Sequence, residues 1–411
     1  MINTTTADFI NRFADADVRD LALKVARFPD VDMPFALEQI AGRQMARTKL
    51  PSWAAVKSIV YPPHISMEQC SSEQTARYKG AVAVRLCSSR EAPKGGKYDF
   101  VDLTGGFGVD FSFIAKALKN SHLFDDFCAC YVERQRHLCQ TASHNFSLLG
   151  LTYVDVMCND GVAFLHDMSA AGIVYLDPAR RNLQGNKTYA IEDCTPNVLQ
   201  VAKELVKKAG YVLVKLSPML DWHKAVTDLK HVSEVHIVSV NNECKELLLV
   251  LQRVVAGNVH VFCVNNNDVF DYLYHVNSAD IVPVLAGSLA EGMWLYEPNA
   301  SIMKAGCFAQ LCHMYALKGI ARNSHLFVSV DKSGCFPGRS FRISSVSSMN
   351  KKELRRALGG ISQANIAIRN FPMSVADLRK RLKLKDGGEI YIFATTDAAG
   401  NHLLLISQKA D

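Results

Sequence analysis

Apolar runs that end in an acidic residue recur along the first half of the chain. Four such runs have the length of a buried strand, and they end at Asp102, Glu133, Asp160 and Asp177. After the first run, apolar residues return at helical spacing from Phe111. Further strands are predicted at 211–216, 235–240 and 247–254, the last two as a hairpin, with helices at 195–209 and 222–229. The pattern predicts an α/β domain whose parallel strands bring the four acids to one sheet edge.

A glycine-rich turn, Thr104-Gly105-Gly106-Phe107-Gly108, follows the first strand. Such a turn lets backbone N–H groups approach a ligand at the N-terminus of the next helix. The sequence is neither the GxGxxG of dinucleotide sites nor the GK[ST] of a P-loop. Asp102, just before the turn, would repel a pyrophosphate and attract an ammonium group. The turn therefore predicts a ligand site, the alternative being a tight strand-to-helix connection.

The run Asp-Leu-Thr-Gly-Gly-Phe-Gly at 102–108 resembles the first motif of class I S-adenosylmethionine-dependent methyltransferases. The resemblance implies a Rossmann-like seven-stranded sheet and S-adenosyl-L-methionine as the cofactor, with Asp102 against its methionine moiety. It also implies that Glu133, 31 positions after Asp102, binds both ribose hydroxyls. Asp160 would accept a hydrogen bond from the adenine amino group, while the backbone amide of Gly161 meets the ring.

Residues 1–95 show helical periodicity. The capping box Ser71-Ser72-Glu73-Gln74 starts a helix shortly before the glycine turn;. A Ser- or Thr-capped helix at this place resembles the segment that closes over the methionine end of the cofactor in several RNA methyltransferases. Ser72 and Thr75 are therefore candidate cofactor-binding residues, the alternative being a capped surface helix.

The fourth strand leads into Asp177-Pro178-Ala179-Arg180. In methyltransferases that act on base amines, Asp or Asn-Pro-Pro and an aromatic residue stand here, and they hold the amine and stack on the flipped base. This chain replaces the second proline by Ala179 and the aromatic residue by Arg180, which can stack on a base or hold a phosphate. Asp177, Pro178 and Arg180 are thus the catalytic candidates. Methylation of uridine carbon 5 would need a cysteine where the chain has Ser217-Pro218-Met219.

Composition sets limits on the class of protein. A chain of 411 residues with 49% hydrophobic residues and a mean hydropathy of +0.03 should form two or three globular domains;. No apolar run approaches the roughly 20 residues that cross a bilayer, and the N-terminus lacks the order of a signal peptide, so we expect a cytoplasmic protein without a membrane partner. The 12 cysteines are never spaced as CxxC, which favours reduced core cysteines and predicts no metal site;.

The segment from Arg339 to Lys385 is strongly basic. It contains 12 Lys and Arg residues but only two acidic residues, Glu353 and Asp377. Its net charge is therefore +10, whereas the whole chain has +6. This charge is typical of nucleic-acid binding, with a solvated helix face as the alternative for the cluster at 379–385. The pattern predicts a helix at 351–358, a strand at 364–368, a helix at 374–383 capped by Ser374, and closing strands at 389–393 and 403–407.

Residues 339–411, and above all IAIRNFPMSVADLRKRLKLKDGGEIYIFAT, resemble the THUMP-like domain at the C-terminus of a family of bacterial class I methyltransferases. With the motifs at 98–254, the resemblance covers essentially the whole chain and implies a ferredoxin-like middle part. We therefore expect a helical region at 1–95, a methyltransferase domain at 96–254, a ferredoxin-like α+β domain at 255–338 and a small, basic α+β THUMP-like domain at 339–411.

Together these patterns predict an S-adenosylmethionine-dependent methyltransferase that methylates a base nitrogen of RNA, either tRNA or rRNA, and binds it through the basic C-terminal domain. Two alternatives stay open. One is a methyltransferase that acts on a protein or a small molecule. The other is an RNA-binding protein whose methyltransferase core is inactive.

Overall fold

The computed structural model describes residues 3–88, 96–179, 191–255, 257–276 and 282–410. The chain forms two compact units. The first comprises Met1–Val235 with Glu246–Val259, and the second comprises His236–Lys245 with His260–Asp411. One strand pair, at 232–251, therefore contributes residues to both units.

Six helices open the first unit. They are α1 (Thr4–Arg12), α2 (Val18–Ala22), α3 (Met33–Lys49), α4 (Pro51–Ala54), α5 (His64–Gln69) and α6 (Glu73–Ser88). Their starts follow from capping, since the Asn3 side chain accepts the N–H of Thr6 and the Asp32 side chain accepts that of Phe35;. The buried side chains of Leu50, Trp53 and Tyr61 form a small core that continues into the glycine-rich turn.

The first sheet alternates with helices along the chain, as predicted. Its elements are β1 (Tyr98–Asp102), α7 (Val109–Asn120), β2 (Ala129–Glu133), α8 (Arg136–Leu148), β3 (Val154–Cys158), α9 (Gly161–Asp167), β4 (Ala171–Leu176), α10 (Val198–Lys208), β5 (Ala209–Leu216), α11 (Trp222–Leu229), β6 (Val232–Val240) and β7 (Glu243–Leu251). The strand order is β3-β2-β1-β4-β5-β7-β6, with β8 (Asn258–Asn265) and β9 (Asp268–His275) following β6. Strands β1 to β5 pair in parallel and β7 pairs with β5 in the antiparallel sense, which confirms the predicted fold class.

The strand register brings the ends of β1, β2 and β4 together. Asp102 at the end of β1 lies beside Tyr131 of β2 and Tyr175 of β4. An aromatic core fixes this arrangement, because the ring of Phe111 lies 5.3 Å from that of Phe100 and 5.6 Å from that of Tyr131. Helix α7 is thereby held against the sheet directly after the glycine-rich turn.

The second unit contains a sheet of its own. Its strands and helices are β8 (Asn258–Asn265), β9 (Asp268–His275), β10 (Trp294–Pro298), α12 (Ala300–Ala305), α13 (Phe308–Tyr315), β11 (Lys318–Gly319), β12 (Phe327–Ser329), β13 (Gly338–Ser348), α14 (Lys351–Ala357), β14 (Asn365–Arg369), α15 (Val375–Leu382), β15 (Ile390–Thr396) and β16 (His402–Lys409). The sheet order is β11-β12-β10-β13-β16-β15-β14. Strands on both sides of residue 338 thus share one sheet, and the predicted domain boundaries stay predictions.

Two basic helices cover one face of this second sheet. Leu354 of α14 and Leu378 of α15 pack on the same apolar cluster, which includes Ile392 and Leu404 of the sheet. The opposite sides of these helices and the turn after α15 carry exposed cations: Lys351, Lys352, Arg355, Arg356, Lys380, Arg381, Lys383 and Lys385. We call these eight residues the basic surface.

Other basic residues of the segment serve the structure. Arg339 and Arg369 both pair with the buried carboxylate of Glu297, the latter at 2.7 Å. Arg379 donates hydrogen bonds to the backbone oxygens of Ala364, at 2.9 Å, and Lys385, at 3.0 Å. The local charge of +10 therefore overstates the number of cations that a partner could reach.

We predict that the neighbours Arg379 and Lys380 differ in their contribution to stability. Arg379→Ala removes two hydrogen bonds to backbone oxygens and should lower the free energy of unfolding by about 1–3 kcal/mol. Lys380→Ala, on the exposed side of the same helix, should change it by less than about 0.5 kcal/mol. Urea unfolding of both variants measures the difference, and equal stabilities would show that the Arg379 hydrogen bonds contribute nothing.

Candidate functional site

The glycine-rich turn adopts a conformation that requires its glycines. Gly106 and Gly108 have φ angles of +55° and +85°, in the left-handed region that side chains disfavour;. A Cβ atom at Gly105 would lie 2.2 Å from the ring of Tyr131, and one at Gly108 would lie 2.7 Å from the ring of Phe146. The backbone of the turn thus packs directly on the aromatic core.

Asp102 is buried at the entrance of this turn. Its Oδ1 accepts hydrogen bonds from the backbone N–H of Thr104 at 2.8 Å and from the Thr104 hydroxyl at 3.3 Å. Burial raises the pKa of the Asp102 carboxyl group well above its ordinary value, and the nearby carboxylates of Asp110 and Asp177 raise it further against these hydrogen bonds;. A cation bound beside Asp102 would relieve this unfavourable environment.

Glu133 connects the end of β2 to the glycine-rich turn. Its Oε2 accepts the N–H of Gly106 at 3.0 Å, and its Oε1 accepts the N–H of Gln135 at 2.8 Å. The structure therefore brings Glu133 and Gly106 together across 27 positions of the chain. A carboxylate has about four acceptor positions, so both oxygens of Glu133 can accept further hydrogen bonds.

Asp160 and Gly161 lie where the chain leaves β3. Asp160 caps α9, its Oδ1 accepting the N–H groups of Val162 at 2.9 Å and Ala163 at 3.0 Å. A Cβ atom at Gly161 would lie 2.1 Å from the backbone oxygen of Leu103. The start of α9 thus packs on the backbone that follows β1, close to the glycine-rich turn.

Three further candidates have side chains engaged elsewhere. The ring of Phe107 packs at 5.0 Å from that of Trp53, so its backbone is the part that can face a ligand at the turn. Ser72 caps α6 by accepting the N–H of Thr75 at 3.3 Å, and the Thr75 hydroxyl donates to the Ser72 backbone oxygen at 3.2 Å. The cap is one position later than predicted, because the hydroxyl of Ser71 donates to Asp110 at 2.8 Å instead.

Asp177 lies at the end of β4, next to the same turn. Its backbone N–H donates to the Thr104 hydroxyl at 2.7 Å, and its Oδ2 accepts from the ammonium group of Lys215 at 2.6 Å. Pro178 is buried, whereas Arg180 lies outside the described residues. The structure thus brings Asp102, Thr104 and Asp177 to one place at the carboxyl edge of the sheet.

Charged residues that the sequence analysis did not single out complete this site. Asp110 pairs with the ammonium group of Lys79 at 3.1 Å and with that of Lys215 at 3.7 Å, and Lys79 also pairs with Glu246 at 2.5 Å. We call the following six residues the charge cluster: Asp102, Asp110, Asp177, Glu246, Lys79 and Lys215. Its lysines stand inside apolar sequence, Lys215 in the strand YVLVKL, and that isolation was the available signal;.

The described residues contain no group of three or more His, Cys, Asp or Glu side chains arranged to hold a metal ion. In the same part of the chain, no helix has both the length and the apolar character to cross a membrane.

Comparison with known domains and structures agrees with this geometry. The family model of THUMP domain-like domains matches residues 338–409, and that of a ferredoxin-like domain matches residues 294–337. The chain has the fold of class I S-adenosylmethionine-dependent methyltransferases, followed by these two C-terminal segments. A crystal structure of a "putative methyltransferase" from Porphyromonas gingivalis W83 matches over 100% of both chains, with 28% identity and a TM-score of 0.81.

More distant structures match only part of the chain. A SAM-dependent methyltransferase from Agrobacterium tumefaciens covers 43% of this chain and 62% of its own, with 15% identity and a TM-score of 0.29. The human methyltransferase 10 domain containing protein covers 52% of this chain and 97% of its own, with 13% identity and a TM-score of 0.37. A search of curated proteins finds no match.

Proposed function

We propose that this protein transfers a methyl group from S-adenosylmethionine to a base nitrogen of RNA. One observation carries the proposal: the buried carboxyl group of Asp102 lies at the glycine-rich turn, beside Asp177 and on the sheet edge where Glu133 ends β2 and Asp160 follows β3. The full-length similarity to the "putative methyltransferase" from Porphyromonas gingivalis W83 supports it.

The residues at the edge of the sheet fit the chemical groups of S-adenosylmethionine. The ammonium group of its methionine moiety would supply the cation that the Asp102 environment favours. Glu133 would accept hydrogen bonds from both ribose hydroxyls, since each of its oxygens has a second acceptor position. The exposed end of β3, with Asp160 and the Gly161 amide, would hold the adenine, and Ser72 and Thr75 would stand near the methionine end.

The base nitrogen that accepts the methyl group would contact the protein at Asp177. S-adenosylmethionine supplies an electrophilic methyl group, and transfer to an amine depends mainly on the alignment of the reacting atoms. Asp177 would accept a hydrogen bond from the acceptor N–H and so orient the nitrogen. Pro178 would place a rigid backbone carbonyl beside the acceptor amine. Arg180 would contact the base or a phosphate, as the sequence motif predicts.

The basic surface supports RNA as the substrate. Its eight exposed cations lie on α14, on α15 and just after α15, within the segment that the THUMP-like family model matches. Cations grouped on one face bind a phosphate backbone by releasing its counterions. A small-molecule acceptor would not need this surface, and an inactive core would not need the groups that surround Asp102 and Asp177.

The first prediction concerns the cofactor. Glu133→Ala should weaken S-adenosylmethionine binding by about 1.5–3 kcal/mol for each hydrogen bond to a charged group that it removes. Calorimetry measures the affinity, and thermal unfolding checks that the turn held by Glu133 remains folded. Glu234→Ala, which removes a carboxylate of the same unit far from these residues in the sequence, is the matched control. An unchanged affinity in Glu133→Ala would remove this residue from the site.

The second prediction separates binding from transfer. Asp177→Asn keeps the shape of the side chain but removes its charge, so affinity for S-adenosylmethionine should stay within about threefold while transfer falls by about 10²-fold or more. Incorporation of labelled methyl groups into total RNA from cells that lack the protein measures transfer. Transfer within about threefold of the wild type, or a loss of cofactor affinity as large as the loss of transfer, would contradict the assignment of Asp177 to the acceptor.

The third prediction concerns RNA. Reversing Lys380 and Arg381 to Glu should weaken binding of unrelated structured RNAs alike and reduce the slope of log affinity against log salt by about two, one for each phosphate that is no longer neutralised. Arg379 is left unchanged because it holds backbone oxygens. Reversing Lys203 and Lys207, which are exposed on α10, introduces the same charge change as a control. Equal weakening in both variants, or none in either, would contradict RNA binding at the basic surface.

A further inference from the structure

Lys215 connects Asp177, the residue that we propose contacts the methyl acceptor, to the interior of the first unit. Its ammonium group lies 2.6 Å from Asp177 Oδ2 and 3.7 Å from Asp110 Oδ2. The Lys215 side chain is 12% exposed, whereas that of Asp177 is 39% exposed. The ion pair therefore has one end in the protein interior and the other at the surface of the site.

The inner end of this pair is fixed by several groups. Asp110 Oδ2 accepts hydrogen bonds from the hydroxyls of Ser71 at 2.8 Å and Tyr175 at 2.7 Å, and Asp110 Oδ1 faces the ammonium of Lys79. Lys79 is completely buried and is paired with Glu246. Lys215 thus rests on a carboxylate that cannot turn away without breaking these interactions.

A purely stabilising role would not account for such an arrangement. Removing charged groups from water costs several kcal/mol per ion, and apolar residues of similar volume often replace buried ion pairs without loss of stability. Lys215 lies in an apolar strand between Val214 and Leu216, both buried, where an apolar side chain would be the ordinary choice. Its charge is instead directed at the one carboxylate that the proposed function assigns to the acceptor.

We propose that Lys215 is a positioning residue for the methyl acceptor: by holding Asp177 Oδ2 it directs Oδ1 toward the acceptor N–H. The inference rests on the proposed function for the identity of the acceptor, but the coupling between Lys215 and Asp177 does not. Lys215 lies on β5, outside the Asp-Pro motif that contains Asp177.

The charge of Lys215 is secured by its surroundings. Burial disfavours the ammonium form, but the carboxylates of Asp177, Asp110 and Glu246 outweigh it and raise the pKa of Lys215 above its ordinary value. Lys215 therefore stays cationic across the pH range in which carboxylates titrate. The titratable groups around the pair, on the described elements packed against it, are Asp102, Asp110, Glu246, Lys79, Tyr175 and Cys70.

The experiment compares Lys215→Met with Lys215→Arg. Lys215→Met should lower kcat for methyl transfer to total RNA by about tenfold or more, with affinity for S-adenosylmethionine within about threefold. KM for RNA should stay within about threefold, because Asp177 is still present but is no longer held in one orientation. Lys215→Arg keeps the charge that pairs with Asp177 and should restore kcat to within about threefold of the wild type. A merely structural role would lower kcat and the affinity for S-adenosylmethionine together.

Control variants keep the test decisive. Lys208→Met removes another partly buried lysine of this unit, whose ammonium donates to the backbone oxygens of Leu165 and His166, and it should leave kcat within about threefold of the wild type;. If Lys215→Met does not fold, Lys215→Gln keeps a donor without the charge and should show the same loss of kcat. An unchanged kcat in the folded neutral variant, or a loss of kcat in Lys215→Arg as large as that in Lys215→Met, would overturn the inference.

A measurement without RNA distinguishes this inference from the proposed function. Infrared difference spectra against Asp177→Asn isolate the Asp177 carboxylate stretching bands, whose frequencies should differ between Lys215→Met and the wild type at one pH because the carboxylate loses its ammonium partner. If the wild type methylates no RNA while this frequency change occurs, the proposed function fails and the Lys215–Asp177 coupling stands. Unchanged band frequencies in Lys215→Met overturn the coupling itself.

Discussion

Asp110 is buried next to the edge of the first sheet, and its carboxylate can stay ionised there only because other groups compensate its charge;. It receives hydrogen bonds from Ser71 and Tyr175 and faces two lysines, and burial is outweighed by the lysines Lys79 and Lys215, which lower the pKa of the Asp110 carboxyl group. These interactions connect the segment before α6, helices α6 and α7, and strands β4 and β5. Through Lys215 they also reach Asp177.

The charge cluster is unbalanced in a way that suits the proposed ligand. It comprises four carboxyl groups and two ammonium groups, and Asp102 is the acid among them whose ionised form burial disfavours most plainly. An added ammonium group beside Asp102 would reduce the excess of acids, whereas a phosphate would increase it. The same electrostatics that make the site costly without a ligand thus favour a cationic one over the nucleotide phosphates that glycine-rich turns bind in other folds.

Much of the fold could be predicted because its signals are local. Strands β1, β2 and β4 are mostly buried runs of five or six residues, β3 is a partly exposed one, and the glycines that follow β1 adopt the turn that their sequence indicates. Ser374 caps α15 as predicted, its hydroxyl accepting the N–H of Asp377 at 3.1 Å. Such features depend on neighbours within a few positions of the chain.

The rest of the site depends on interactions between distant residues. Lys79 and Glu246 are 167 positions apart, and no local pattern relates them. Ser71 was predicted to cap a helix, but its hydroxyl donates to Asp110, because that buried carboxylate needs hydrogen-bond donors. Arg379 was predicted to belong to an RNA-binding segment, but its guanidinium donates to a backbone oxygen of the second unit, which likewise needs a donor. Sequence periodicity identifies which positions are buried, but not which buried charges will meet.

The most direct test of this account is the proton balance of S-adenosylmethionine binding. Because burial raises the pKa of Asp102, a bound ammonium group should drive its proton off, so binding should release protons and become tighter as pH rises through that titration;. Calorimetry in buffers of different ionisation enthalpy measures the number of protons released, and Asp102→Asn, which cannot ionise, leaves only the titration of the ligand itself. The account predicts a proton release in the wild type that disappears in Asp102→Asn. Binding with the same proton balance in both proteins, or no binding by the folded wild type, would contradict it.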